Sequence, residues 1–207
     1  MVNNWLPRVL EESRARGFLS PGPLERHIQH SQGFVEAWNS VEQSSPRSFL
    51  DLGSGGGVPG LILATVWPVR AVLLDSMIRR TSFLTEVSSW EDAPRELEIV
   101  TGRAEEMGRL HDLREQFDLV VSRSFGPPAV AAECASAFVK VGGLIIVSEP
   151  PDDEKESRWP DSPLLSLGLE PMGRLRVSAA FQLLRKIEPL DTQYPRKVGI
   201  PGKTPLF

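Results

Sequence analysis

Phe49-Leu50-Asp51-Leu52 runs straight into Gly53-Ser54-Gly55-Gly56-Gly57-Val58-Pro59-Gly60, and an apolar run of helical length follows from Leu61. A buried strand that ends in glycines and feeds a helix lets backbone come close to a bound cofactor. Glycine permits φ > 0 and removes the Cβ from the approach, and the helix start offers unpaired N–H groups. The segments downstream read as repeats of strand and helix that extend one sheet from this point.

Those repeats are short apolar runs at 48–52, 71–75, 97–101, 117–122 and 144–148, with helical patterns over 61–66, 79–89 and 129–139. They predict an α/β fold with a doubly wound, mostly parallel sheet of the Rossmann-like kind. Gly142-Gly143 is expected as the turn before the fifth strand. Residues 150–163 are proline-rich and acidic and suit an exposed loop. Residues 173–177 and 181–187 suit a terminal antiparallel hairpin, which brings the sheet to seven strands. The expected organisation is a short N-terminal helical cap over 1–46, a main domain over 47–190 and a basic tail over 191–207. The cap's second helix, about 24–41, carries Leu24, Ile28, Ser31, Val35 and Trp38 on or near one face.

With 207 residues, 41% apolar and 24% charged, the chain suits one soluble domain. A formal net charge of −4 argues against blanket nucleic-acid binding but leaves room for a local basic face. One cysteine, Cys134, excludes a disulfide framework or a zinc cluster within the chain. Its place in a helix beyond the expected site disfavours a nucleophilic role. No His/Cys/Asp spacing points to a metal. His27 and His30 share a helix and are expected on a solvated face. No signal peptide or membrane span is expected, so the default location is cytoplasmic.

The chemistry lies at the strand ends. A dinucleotide fingerprint needs G-x-G-x-x-G after a strand. Here Asp51 stands inside the strand and Pro59 in the turn, which is the pattern of S-adenosylmethionine (SAM) sites, where a carboxylate meets the methionine amino group. A nicotinamide dinucleotide loop and a glycine turn without ligand remain the alternatives. Asp75, ending the second strand, suits ribose hydroxyls, although an acid there can also be a helix cap. Arg103-Ala104-Glu105 after the third strand can flank an adenine, or simply start a solvated helix. Arg123, ending the fourth strand beside Phe125, lies at the switch point where ligands gather, and can grip a carboxylate or a phosphate.

Taken together, FLDLGSGGGVPGLILA (49–64), VLLDSMIRRTSFL (72–84), GRAEEM (102–107), FDLVVSRSF (117–125) and YPRKVGIPGKTPL (194–206) resemble the RsmG, or GidB, family of bacterial small-subunit ribosomal RNA guanine-N7 methyltransferases. Arg26-His27, ahead of Ser31, looks like that family's helical R-H-x-x-x-S element. The resemblance implies a class I SAM-dependent methyltransferase acting on 16S ribosomal RNA or the small ribosomal subunit, as a monomer. Carried over residue by residue, it implies cofactor contacts at Gly53, Val58, Ala104, Glu105 and Arg123, beside the Asp51, Gly55 and Asp75 read above. Arg123 is then the positioning group at the reacting atoms, with no general base. Arg26, His27, Arg196, Lys197 and Lys203 are the expected RNA contacts, within a basic C-terminal third that also holds Arg174, Arg176, Arg185 and Lys186. Two features depart from the family: the chain starts close to its R-H element, and Ser148-Glu149-Pro150-Pro151 stands where K-G is usual. They keep open a methyltransferase with another substrate, a small molecule or protein, and a module that binds SAM or RNA without turnover.

Overall fold

A computed structural model describes residues 4–150 and 158–207, so residues 151–157 of the expected loop lie outside the described residues. Two helices, α1 (Trp5–Ala15) and α2 (Leu24–Asn39), precede the sheet. Then come β1 (Ser48–Leu52), α3 (Gly60–Val66), β2 (Arg70–Asp75), α4 (Ile78–Ser88), β3 (Leu97–Thr101) and the single turn α5 (Ala104–Met107). They are followed by β4 (Phe117–Ser122), α6 (Pro128–Ser136), β5 (Val139–Glu149), α7 (Asp161–Ser166), β6 (Leu169–Arg176), β7 (Ala180–Lys186) and α8 (Ile200–Lys203).

The sheet has seven strands in the order β3-β2-β1-β4-β5-β7-β6. The first five pair in parallel, and β7 runs antiparallel to both β5 and β6. The order reverses between β1 and β4, which puts the switch point of the doubly wound sheet at their carboxyl ends. Both faces are covered. Phe49, Val121 and Ile146 pack under α1, α2, α3 and α4, against Trp5, Phe34, Leu61 and Phe83. Their strand neighbours Leu50, Val120 and Val147 pack on the opposite face with Ala131 and Ala135 of α6 and Leu164 of α7. This alternation follows from the two-residue period of a strand.

Gly142-Gly143 is not a boundary. β5 starts at Val139, and its pairing with β4 shifts register between Phe117 and Leu119. The glycines form a bulge inside the strand, with Gly142 at φ +83° and a Cβ on Gly143 falling 2.7 Å from Val139 Cγ2. Because Phe117 pairs with Val139, α6 has to end at Ser136 rather than reach residue 139. The last hairpin is also longer than expected, since β6 starts at Leu169. Part of the expected loop, from Asp161, is helical, and Trp159 before that helix and Leu164 within it are buried.

α2 buries a wider sector than its apolar pattern indicates. His27, Ser31, Phe34, Ala37 and Trp38 are buried, whereas Leu24, Ile28 and Val35 are only half-buried. The helix is wedged over the sheet with its flank against Leu10, Val58 and Ile62. His27 therefore lies on the buried face, not the solvated one.

Candidate active site

The carboxyl ends of β1, β2 and β3 and the turn after β4 meet in an open cleft of about 230 Å³, walled by Gly53, Asp75, Ala104, Glu105 and Phe125 among others. Cys134 of α6 also lines it, so the thiol is not beyond the site. Burial pushes that thiol far up, with Glu105 and Glu133 adding to the effect, so it stays protonated and is no nucleophile.

β1 delivers Asp51, which is buried. Its Oδ2 accepts the Gly60 N–H at 2.9 Å, at the start of α3, while Oδ1 is buried with no partner among the described residues. A Cβ on Gly60 would stand 2.5 Å from that Oδ2, so only glycine fits there. Burial pushes the Asp51 carboxyl up to about 7; the Gly60 N–H opposes the rise, as does Arg123, and Asp75 adds to it. The glycine loop then turns back on β2, with the N–H groups of Gly53 and Ser54 both donating to Leu74 O. Gly53 has φ +78°, and a Cβ there would fall 2.7 Å from the Phe125 ring. Val58 points the other way, into the small cluster of Leu10 and Ile62.

Asp75 is both a turn residue and a wall of the cleft. Its Oδ1 accepts the Met77 N–H at 2.8 Å, and its Oδ2 accepts the Gly55 N–H at 2.9 Å and lies 3.3 Å from Arg80. Loop, β2 and α4 are thus fastened through one carboxylate. After β3, Ala104 and Glu105 are buried at the start of α5. Glu105 Oε1 accepts the Gly199 N–H at 3.0 Å and pairs with Arg103 at 3.3 Å. Burial alone would raise the Glu105 carboxyl, but the backbone hydrogen bond from Gly199, helped by Arg103, outweighs it and holds the group low. The cleft wall at β3 therefore depends on the C-terminal segment.

β4 is followed directly by Arg123, which is half-buried, and then by Ser124 at φ +57°. That left-handed residue turns the chain so that Phe125 folds back over Gly53; a non-glycine there is strained, and such strain gathers at functional sites. Arg123 points under α2, where its Nη1 lies 3.2 Å from His27 Nδ1. One turn on, His30 Nε2 lies 2.8 Å from the Ser148 hydroxyl at the end of β5. Of the expected cofactor residues, Gly53, Asp75, Ala104 and Glu105 line the cleft together. Asp51, Gly55, Val58 and Arg123 stand behind it or at its edge.

The expected RNA contacts separate. Arg26, Lys197 and Lys203 are exposed, and His27 is buried. Arg196 is held by the fully buried Glu133 through its backbone N–H at 2.7 Å and its guanidinium at 2.6 Å. Lys186 is fully buried, its Nζ 2.9 Å from Leu167 O, and so does not belong to the basic surface. Arg185 is tied to Glu42 at 2.7 Å, and Arg174 donates to Pro150 O. Glu133 escaped the sequence reading, although a lone acid in an alanine-rich helix needs a partner and could have signalled one. His30 and Ser148 escaped too; their meeting depends on how α2 lies across the sheet.

A family model described as GidB, rRNA small subunit methyltransferase G, matches residues 8–171. The chain is 35% identical over 187 residues to a protein named ribosomal RNA small subunit methyltransferase G from Alkaliphilus oremlandii, covering 86% of this chain and 78% of the relative. A protein of the same name from Alkaliphilus metalliredigens is 34% identical over 191 residues, covering 88% and 78%. Among solved structures, a 16S rRNA (adenine(1408)-N(1))-methyltransferase from Catenulisporales acidiphilia, with its cosubstrate SAM, has the same fold. It superposes with a TM-score of 0.55 at 16% identity, over 75% of this chain and 92% of that one.

Proposed function

The chain belongs to the GidB family, rRNA small subunit methyltransferase G, and on that premise we propose that it methylates N7 of a guanine in 16S ribosomal RNA, using SAM. The observation that carries the reading is a cleft at the switch point walled by Gly53, Asp75, Ala104 and Glu105, with an acceptor of Asp51 buried beside it that has no donor among the described residues.

The residues fit the cofactor. Asp51 Oδ1 is buried and unpartnered, and an ammonium such as that of the methionine moiety satisfies it directly or through water. Asp75, held by two backbone N–H groups, presents its carboxylate to ribose hydroxyls. Ala104 leaves room for a flat base, and Gly53 and Gly55 keep the loop free of Cβ atoms. Bound there, SAM supplies a methyl group on a cationic sulfur. The chain's own task is placement. Guanine N7 carries a free lone pair at neutral pH, so no residue has to remove a proton, and the barrier falls by holding the two partners at near-attack distance. Phe125 offers an aromatic wall for the base, and Arg123 a cation at the switch point.

Arg26, Lys197 and Lys203 are the exposed cations assigned to RNA phosphates, which orient the substrate without reading its sequence. Arg196 acts indirectly, by fixing the tail. Among the described residues, no helix is long and apolar enough to cross a membrane. The proposed setting is the cytoplasm, and the proposed state is a monomer.

The test is mass spectrometry of 16S ribosomal RNA from a strain lacking the gene. Loss of one 7-methylguanosine, restored by complementation, is expected. An unchanged level overturns the proposal.

A further inference from the structure

Side chains alternate along a strand, so Asp51, Arg123 and Ser148 project to the same face as Phe49, Val121 and Ile146, the face covered by α2. α2 answers with two imidazoles three residues apart, hence stacked on one side of the helix. His30 reaches the end of β5, 2.8 Å from Ser148 Oγ, and His27 reaches the end of β4, with Nδ1 3.2 Å from Arg123 Nη1.

A guanidinium only donates hydrogen bonds, so His27 Nδ1 must carry its lone pair. The Ser20 backbone beside the ring favours its protonated form, against burial and Arg123. Burial first, and Arg123 second, hold His27 below the ordinary histidine range. The charged or titratable groups around it are Arg123 from β4, His30 on its own helix and, beyond Arg123, Asp51 from β1. His27 is 6% exposed, whereas its neighbour Arg26 is exposed.

We propose that His27 is a positioning residue, whose neutral imidazole holds the Arg123 guanidinium in place at the cofactor site instead of contacting RNA. The inference rests on the assignment of Arg123 to that site. It divides the Arg26-His27 pair: Arg26 faces the RNA, and His27 faces inward and acts through Arg123. It also makes α2 part of the catalytic apparatus, because His27 joins that helix to Arg123 at the end of β4.

The test uses the full-length protein with His27→Phe, which fills the space without an acceptor, and His27→Asn, whose carbonyl occupies the Nδ1 position. SAM affinity is measured by calorimetry, small-subunit RNA affinity by filter binding, and kcat and KM by methyl transfer. His27→Phe is expected to weaken SAM binding and lower kcat by about tenfold each, with RNA affinity unchanged. His27→Asn is expected to recover most of both. In the wild type, SAM affinity falls further on acidification below the ordinary histidine range, where the ring gains a charge beside Arg123. His27→Asn loses that limb and keeps the one set by Asp51. SAM affinity and kcat within twofold of wild type for His27→Phe, or a loss confined to RNA affinity, overturns the proposal. Failure of the acceptor assignment reads differently: the SAM-affinity changes appear while no methylated guanine forms.

Discussion

Replacing Asp51 by asparagine should stabilise the fold and weaken cofactor binding at once. Asp51 is fully buried, and its carboxyl is pushed from an ordinary 3.8 to about 7. Three pH units at roughly 1.36 kcal/mol each amount to about 4 kcal/mol held against the native state at pH 8. The sign is fixed by the raised value: the neutral acid costs nothing extra below pH 4, and stability is lost as pH rises through about 7. Asparagine removes the charge and still accepts the Gly60 N–H. Its amide N–H₂ falls where Asp51 Oδ1 has no partner, at a cost of about 1–3 kcal/mol. The net gain at pH 8 is then about 1–3 kcal/mol, shrinking and reversing towards pH 4. Thermal unfolding without SAM reads this directly. Between pH 5 and pH 8, the variant's Tm minus the wild-type Tm should rise by about 5–10 °C, at 2–4 °C per kcal/mol for a chain of this size. With SAM, the wild type should bind more tightly as pH rises to about 7, because an ammonium pairs with the ionised carboxylate. Asp51→Asn should lose that dependence. A Tm difference that stays flat over this range would refute the argument that Asp51 is a buried charge awaiting a donor.

Arg196→Ala should destabilise more than Glu133→Gln, by about 3 against about 1 kcal/mol, because the first strands a carboxylate in the core and the second frees a cation that reaches water. Urea unfolding of both variants checks it, and equal losses would mean that Glu133 is hydrated after all. Gly53→Ala places a Cβ 2.7 Å from the Phe125 ring at φ +78°. It should cost about 1–2 kcal/mol and weaken SAM binding severalfold; an unchanged SAM affinity would place the cofactor away from this loop. Glu105→Ala removes the carboxylate that accepts the Gly199 N–H. SAM affinity should fall severalfold, and calorimetry showing no change would mean that Glu105 does not shape the cofactor cleft.

The parallel core was legible because buried strands and crossover helices write their own periods. All five expected parallel runs lie within the observed strands, β1, β3 and β4 with the same bounds. Places where local pattern and pairing disagree were not legible. Gly142-Gly143 looks like a turn by residue type, yet pairing of Phe117 with Val139 draws it inside β5 as a bulge. Lys186 looks like a surface cation, but three acceptors, Leu167 O, Ser136 O and Glu115, receive it within the core. Such a partnership is assembled by segments distant in the chain. The histidines of α2 were misplaced for a related reason: the helix is covered over a wide sector, and imidazole, unlike a permanently charged side chain, can be buried in its neutral form.

The two-residue period of the strands also explains why the strand-end residues do not all line the cleft. Leu50 and Leu52 of β1, with Val120 of β4, belong to the face of α5 and α6, where Ala104, Glu105 and Cys134 wall the cavity. Asp51 and Arg123 fall between those positions and project to the face of α2 and α3. A spacing of one residue thus separates the wall formed by Ala104 and Glu105 from the charged pair Asp51 and Arg123 at the edge of the cleft. The pair can work only if its charges stay oriented under the helices, which is what the Gly60 N–H does for Asp51 and the His27 imidazole for Arg123. Substitutions in α2 should therefore register in cofactor affinity, although the helix contributes no side chain to the cleft.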